Sequence, residues 1–318
     1  MTDPDPAAVS PAVDDRLHGV FAAALTPVDA HLAPDFGTAT LHCRWLLRHG
    51  CDGLGILGTT GEANSFSVGE RTDLLDHLVG NGVPAAVLLP GTGCAALTDT
   101  VALTAHACKL GAGGCLVLPP FYYKNVSDDG LFASYAEVIE RVGDPRLRIY
   151  LYHFPQMTGL FLSVALIERL VARYPETVVG IKDSSGDLAN MLAVAAAIPG
   201  FAVFSGSDDL LLPLLDGGGA GCITACCNIA APLAAAVYAA WRNGDRENAA
   251  AVQRTLSEVR RLVSAYPLSA ALKALFARFS PAGAWAQLRP PLVPLPPAAA
   301  AALADALAAL PFAPDDWP

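Results

Sequence analysis

Lysine is scarce in this chain. Only Lys109, Lys124, Lys182 and Lys273 occur among 318 residues, and charged residues make up 16% of the total. With 20 basic against 30 acidic side chains the formal net charge is −10, so there is no clustered Lys/Arg face to hold nucleic acid. The eight cysteines contain no C-x-x-C pair, and most lie in apolar segments such as Gly113–Val117. Small buried hydrophobes are used in this way in a reducing compartment. Neither a disulfide framework nor a zinc site is expected, and the cytoplasm is the expected location. The seven histidines are scattered, with no His/Glu cluster to suggest a metal. The chain opens without a basic n-region or an apolar h-region. Its acidic, Pro-rich start, residues 1–17, is expected to be a flexible tail and no signal peptide. One uncharged stretch, Gly217 to Trp241, has about the length of a membrane span. It opens with three glycines and carries Asn228 and Pro232 at its centre, so strand, loop and Ala-rich helix explain it better, and no membrane partner is expected.

The residues that are present point to one architecture. Hydrophobic residues reach 53%, much of it alanine, and the length suits one large α/β domain or two ordinary ones. Short β-type runs recur at Gly19–Leu25, Gly53–Leu57, Ala85–Leu89, Gly114–Leu118, Leu147–Tyr152, Val178–Lys182, Ala202–Ser205 and Ala220–Thr224. Helical patterns lie between them, such as Ala39–His49, Val68–Val79, Leu97–Leu110 and Asp128–Val142. Most runs are continuously apolar, as expected of parallel strands covered on both faces. Eight such units predict a (β/α)8 barrel over residues 18–228. A doubly wound sheet would want a Gly-rich turn after its first strand, and Leu25-Thr26-Pro27-Val28 offers none. Beyond Thr224 there are only helical patterns, predicting a C-terminal helical region over 229–318.

Chemistry in a barrel sits at the C-terminal strand ends, so the residues after each run are the candidates. Val178–Ile181 runs straight into Lys182 and a polar turn, Asp183-Ser184-Ser185-Gly186-Asp187. An ammonium set against an apolar wall is costly to keep charged, and a neutral amine is the nucleophile that makes a Schiff base with a carbonyl. Taken alone, the residue is explained as well by a lysine leaving the barrel or pairing with Asp183. The second run leads into Gly58-Thr59-Thr60-Gly61-Glu62, whose backbone N–H groups and hydroxyls suit a carboxylate. An ordinary turn and N-cap is the alternative; the spacing and lysine of a phosphate loop are missing. The fourth run leads to Pro119-Pro120-Phe121-Tyr122-Tyr123-Lys124, which packing or a subunit contact would explain. The fifth ends at Tyr152-His153-Phe154-Pro155-Gln156-Met157-Thr158-Gly159. A tyrosine beside a neutral lysine can shuttle protons, or it can simply donate to a carbonyl. His153 reads as a packing or hydrogen-bonding residue.

In order, these four motifs resemble the dihydrodipicolinate synthase / N-acetylneuraminate lyase family of Schiff-base-forming, class I aldolases. The resemblance runs over about residues 18 to 290 and includes Val20–Pro27, Ser205-Gly206 and Gly221–Thr224 as further strands. It implies that Lys182 forms an imine with pyruvate or another 2-keto acid, with no metal or other cofactor. It implies that Tyr152 is the acid/base, relaying protons through the Thr59 hydroxyl. Tyr123 would complete that relay in a neighbouring subunit's site, within a homo-oligomer built as a dimer of dimers. Gly58, Thr59 and Thr60 would hold the substrate carboxylate with preorganised donors, Gly206 and Ile223 would line the pocket, and Glu62 would be structural. Members acting on aspartate semialdehyde carry an arginine where this chain has Met157, and a thioether cannot make a guanidinium's bidentate bonds. Lysine-inhibited members carry histidine soon after Gly-Thr-Thr-Gly-Glu, where Val68 and Arg71 stand here, and His153 replaces the family's asparagine. The expected function is therefore pyruvate-dependent cleavage or condensation of a 2-keto-3-deoxy sugar acid or related 4-hydroxy-2-oxo acid. 4-Hydroxy-tetrahydrodipicolinate synthesis is the alternative, and a non-catalytic keto-acid-binding barrel is the second.

Overall fold

Seven of the expected runs form strands: β1 (Gly19–Ala22), β2 (Gly53–Leu54), β3 (Cys115–Val117), β4 (Ile149–His153), β5 (Val178–Asp183), β6 (Ala202–Ser205) and β7 (Gly221–Thr224). They build one sheet of order β2-β1-β7-β6-β5-β4-β3, in which every pairing is parallel. The computed structural model describes residues 16–281, 284–312 and 317–318. The expected tail lies outside the described residues apart from Arg16 and Leu17.

Helices fill the intervals: α1 (Phe36–Arg48), α2 (Val68–Gly80), α3 (Leu97–Lys109), α4 (Asp128–Val142), α5 (Pro155–Thr158), α6 (Val164–Arg173), α7 (Leu188–Ala197), α8 (Leu211–Asp216) and α9 (Cys227–Arg242). Their starts are written locally. Asp35, Ser127, Ser163 and Asp187 each accept a backbone N–H of the first turn, and Ser67 with Glu70 forms a reciprocal capping box. Three more helices follow among the described residues, α10 (Arg246–Ser264), α11 (Leu268–Phe279) and α12 (Pro297–Ala308). The boundary expected between 228 and 229 falls inside α9, which kinks at Ala230 just before Pro232.

The expected strand over Ala85–Leu89 is not one. Pro84 leads into a 3-10 turn over Ala85–Val87, and Pro90 has no N–H to give a ladder. The chain continues from the turn as an irregular segment with single parallel bridges to each side, Leu54↔Leu88 and Gly91↔Leu116. Its backbone still bonds both neighbours, through Leu89 N to Leu54 O at 2.8 Å and Leu116 N to Pro90 O at 2.9 Å.

Side-chain alternation divides the apolar residues into two layers. Val20, Ala22, Ile149, Leu151, Val178 and Ile181 pack with the helices, whereas Phe21, Ala23, Leu116, Tyr150, Val179, Phe204 and Ile223 form a separate inner cluster. Phe21 and Phe204 meet edge to face, with ring centroids 5.5 Å apart, and burial of each such ring contributes about 2 to 3 kcal/mol. One irregularity aims the chemistry. Between β4 and β5 the register shifts, so that Ile149 pairs Val178 but Tyr150 pairs Gly180. Strict alternation from Val178, which faces the helices, would send residue 182 outward as well. The extra residue re-phases the strand: Ile181 faces the helices, and Lys182 is delivered to the inner face, paired with Tyr152. Gly180 is needed there because a Cβ would meet the Tyr150 ring at 2.5 Å.

Candidate active site

A cavity of about 670 Å³ opens at the C-terminal ends of the strands. Its floor carries Lys182, Tyr152, Thr59, Thr60, Gly206 and Ile223. Lys182 is 4% exposed, and its Nζ donates to the Tyr152 hydroxyl at 3.2 Å. That hydroxyl donates in turn to Thr59 Oγ1 at 3.4 Å. The amine also stands 4.3 Å from the centroid of the Tyr152 ring. Lys182 does not pair with Asp183. The Asp183 carboxylate accepts from Ser185 N and Asn190 Nδ2, both at 2.8 Å, and so folds the polar turn and ties it to α7. Lys182 makes no ion pair among the described residues.

The Thr59 and Thr60 backbone N–H groups have no hydrogen-bond partner among the described residues. Two free amides beside two hydroxyls form a concave set of donors suited to an anion. The loop is held from below by Glu62, whose φ of 57° is unusual for a side-chain-bearing residue. Its carboxylate is anchored at both oxygens, by Lys273 Nζ at 2.5 Å and by Arg289 N at 2.9 Å. Burial pushes the Lys273 ammonium below the usual lysine range, and Glu62 opposes that shift. Ser269 Oγ donates to Thr60 O at 3.3 Å. Arg289 also caps the Ser65 and Leu32 carbonyls and pairs with Glu70, whose carboxyl it holds down at about 2. The C-terminal helices are thus tied to the loop that carries the two threonines.

Gly206 admits the neighbouring strand end, since a Cβ there would meet Ser184 Oγ at 2.1 Å. Met157 lies at the cavity rim and is largely exposed. Gly58 does not line this cavity; it borders a much smaller one, of about 10 Å³, behind Thr59 and Tyr152. Tyr123 is not brought to the cavity either. It is 69% exposed, edge-on to Tyr122 with centroids 5.3 Å apart. His153 is buried; its Nδ1 accepts from Leu162 N at 3.3 Å, and burial lowers its pKa. All eight cysteines are free, and the described residues contain no group of three or more His, Cys, Asp or Glu placed to hold a metal.

Motif reasoning missed the part of the lining formed by Pro267, Leu268, Leu288, Leu292, Val293 and Arg260. Arg260 reaches the cavity from α10. Its NH1 lies 3.7 Å from Oδ2 of Asp208, a fully buried carboxylate. The other Asp208 oxygen accepts from Thr224 Oγ1 at 2.5 Å, and burial raises the Asp208 pKa against the opposing Arg260 charge. No local signal in the run Val259-Arg260-Arg261-Leu262 marks the first arginine over the second.

A buried amine at a strand end, linked by hydroxyls to a loop with free backbone amides, is the arrangement that a carbonyl-directed lysine needs. The chain belongs to the dihydrodipicolinate synthetase family, whose model matches residues 16–310. It is accordingly a lyase, of the class I, pyruvate-dependent aldolase type. A protein called an uncharacterized DapA-like lyase, from Chloroflexus aurantiacus, is 38% identical over 278 residues, covering 87% of this chain and 91% of that one. A 4-hydroxy-tetrahydrodipicolinate synthase of Acidiphilium cryptum is 34% identical over 241 residues, covering 76% and 80%. Among solved structures, YagE of E. coli K12, a prophage protein crystallised with pyruvate, superposes with a TM-score of 0.83 at 29% identity, covering 92% of this chain and 97% of that one. No helix among the described residues is long and apolar enough to cross a membrane.

Proposed function

We propose that Lys182 is the imine-forming lysine, and that the enzyme joins pyruvate to an aldehyde or cleaves the resulting 4-hydroxy-2-oxo acid, a 2-keto-3-deoxy sugar acid among them. The observation that carries this reading is the buried chain Lys182 Nζ, Tyr152 Oη and Thr59 Oγ1, at 3.2 and 3.4 Å. Lys182 Nζ attacks the keto carbon and water leaves, giving a protonated imine. Loss of a C3 proton yields an enamine, which bonds to the aldehyde carbon. Tyr152 returns the proton to the new alkoxide, and water hydrolyses the imine to free the lysine. The Thr59 and Thr60 amides and hydroxyls hold the pyruvate carboxylate, with Gly206 and Ile223 shaping the pocket around the methyl side.

The scaffold for this chemistry is read as a closed (β/α)8 barrel, with the irregular segment around Leu88–Gly91 in the place of its third strand. Tyr123, exposed and not part of its own cavity's lining, is assigned to a neighbouring copy's relay, within a dimer of dimers. The free thiols suit a reducing compartment such as the cytoplasm. Borohydride trapping with pyruvate, read by peptide mass spectrometry, tests the central claim. A reduced pyruvyl adduct is expected on Lys182 and is expected to vanish in Lys182→Ala. Equal adduct on that variant would sink the assignment.

A further inference from the structure

The cavity wall carries two basic side chains, Lys182 and Arg260, and no acidic one, although the protein as a whole has a net charge of −10. Pyruvate's carboxylate has its own donors on the threonine loop, so it leaves the Arg260 charge unused. A guanidinium offers five N–H donors, yet Arg260 makes no hydrogen bond to a nitrogen or oxygen acceptor among the described residues. The Cys226 thiol beside it is a weak acceptor. Its nearest carboxylate oxygen, Asp208 Oδ2, stands at 3.7 Å, an ion pair beyond hydrogen-bond reach, while Thr224 bonds the other Asp208 oxygen. The Arg260 side chain is 23% exposed, which leaves part of it open to the cavity.

Accepting the pyruvate-aldolase reading of the floor, we propose that Arg260 recognises a carboxylate at the far end of the acceptor aldehyde. The substrate pair is then pyruvate and a short aldehyde acid, joined as a 4-hydroxy-2-oxo diacid. One guanidinium with an aspartate behind it matches a planar monoanion, which it can grip with two parallel N–H bonds. A phosphate dianion would call for more positive charge than one such pair supplies. This placement also accounts for Met157. The grip on the second carboxylate comes from α10 and not from the segment after β4, so that segment needs no cation. Arg260 is then a specificity determinant, whose contribution scales with the charge of the acceptor.

The test compares kcat/KM for succinic semialdehyde with that for pentanal, and for glyceraldehyde 3-phosphate with that for glyceraldehyde, each condensed with pyruvate. Wild-type enzyme is expected to favour succinic semialdehyde over pentanal. In Arg260→Met that ratio is expected to fall about tenfold to hundredfold, the usual worth of a hydrogen bond to a charged group, chiefly through KM. Arg260→Lys is expected to restore part of it. Because Arg260→Met leaves Asp208 buried without its counter-charge, the double variant Asp208→Asn/Arg260→Met is measured alongside, and the same fall in ratio is expected. An unchanged ratio in both variants overturns the proposal. A larger fall for the phosphorylated pair than for the carboxylated pair overturns the choice of carboxylate. Trapping of pyruvate on wild-type Lys182 separates the two levels: no adduct removes the underlying reading, whereas adduct with an unmoved ratio removes only the role of Arg260.

Discussion

Glu62 and Lys273 form a fully buried ion pair at 2.5 Å, between the threonine loop and α11. Removing one partner of such a pair strands a charge in a low-dielectric interior, at a cost of about 3 to 5 kcal/mol. Replacing both with neutral groups of similar shape removes that penalty. Lys273→Met leaves the Glu62 carboxylate with only the Arg289 N–H, and Glu62→Gln leaves the ammonium with the Gln287 carbonyl at 3.0 Å. Each single variant is therefore expected to lose about 3 to 5 kcal/mol, while the double variant is less destabilised than the sum of the two by at least about 2 kcal/mol. Urea unfolding followed by tryptophan fluorescence reads these values, since Trp45 and Trp285 are buried in the same core. The pair also anchors the loop that carries Thr59 and Thr60, so KM for pyruvate is expected to rise in both single variants. A loss below about 1 kcal/mol in Lys273→Met, or strict additivity in the double variant, would refute the reasoning.

Two further outcomes are expected from other parts of the structure. Tyr152→Phe removes the hydroxyl between Lys182 and Thr59, so kcat is expected to fall by about 10²- to 10⁴-fold with little change in stability; a fall of less than fivefold in a coupled pyruvate assay would contradict the relay. Burial lowers the His42 pKa from 6.5 to about 4. Above pH 6.5 both folded and unfolded states are neutral at this site and nothing is lost. As pH falls from 6.5 toward 4 the unfolded chain takes up a proton that the folded one does not, and stability drops by about 1.4 kcal/mol per pH unit. His42→Phe should flatten that slope in denaturant titrations, and an unchanged slope would place the titration elsewhere.

The site was legible to the extent that its chemistry is local. Lys182 directly succeeds an apolar run, and Tyr152 ends another, so strand-end reasoning alone nominates both. The two threonines between glycines are equally visible. Other features depend on neighbours distant in sequence. The strand expected over Ala85–Leu89 is apolar enough, but Pro84 and Pro90 withhold the N–H groups a continuous ladder needs. Gly58 belongs to the same Gly-Thr-Thr-Gly-Glu motif as the two threonines and borders a different, smaller cavity. Glu62 has its partner 211 positions further on, at Lys273, and nothing near either residue announces the pair.

The sequence by itself determined the parallel α/β layering, the helix starts and the lysine, tyrosine and threonine that make the floor of the site. These come from apolar periodicity, capping side chains and residue chemistry, all of which act over a few positions. Tertiary structure alone decided which way Lys182 points, because that rests on a one-residue register shift against β4. It also decided which residues of α10, α11 and the segment after Leu288 join the strand ends in lining the cavity. Of the adjacent Arg260 and Arg261, only Arg260 lines the cavity, because helix rotation and the buried Asp208 behind it place that one arginine there. Such placement is a sum of long-range packing contacts, which no short stretch of the chain encodes.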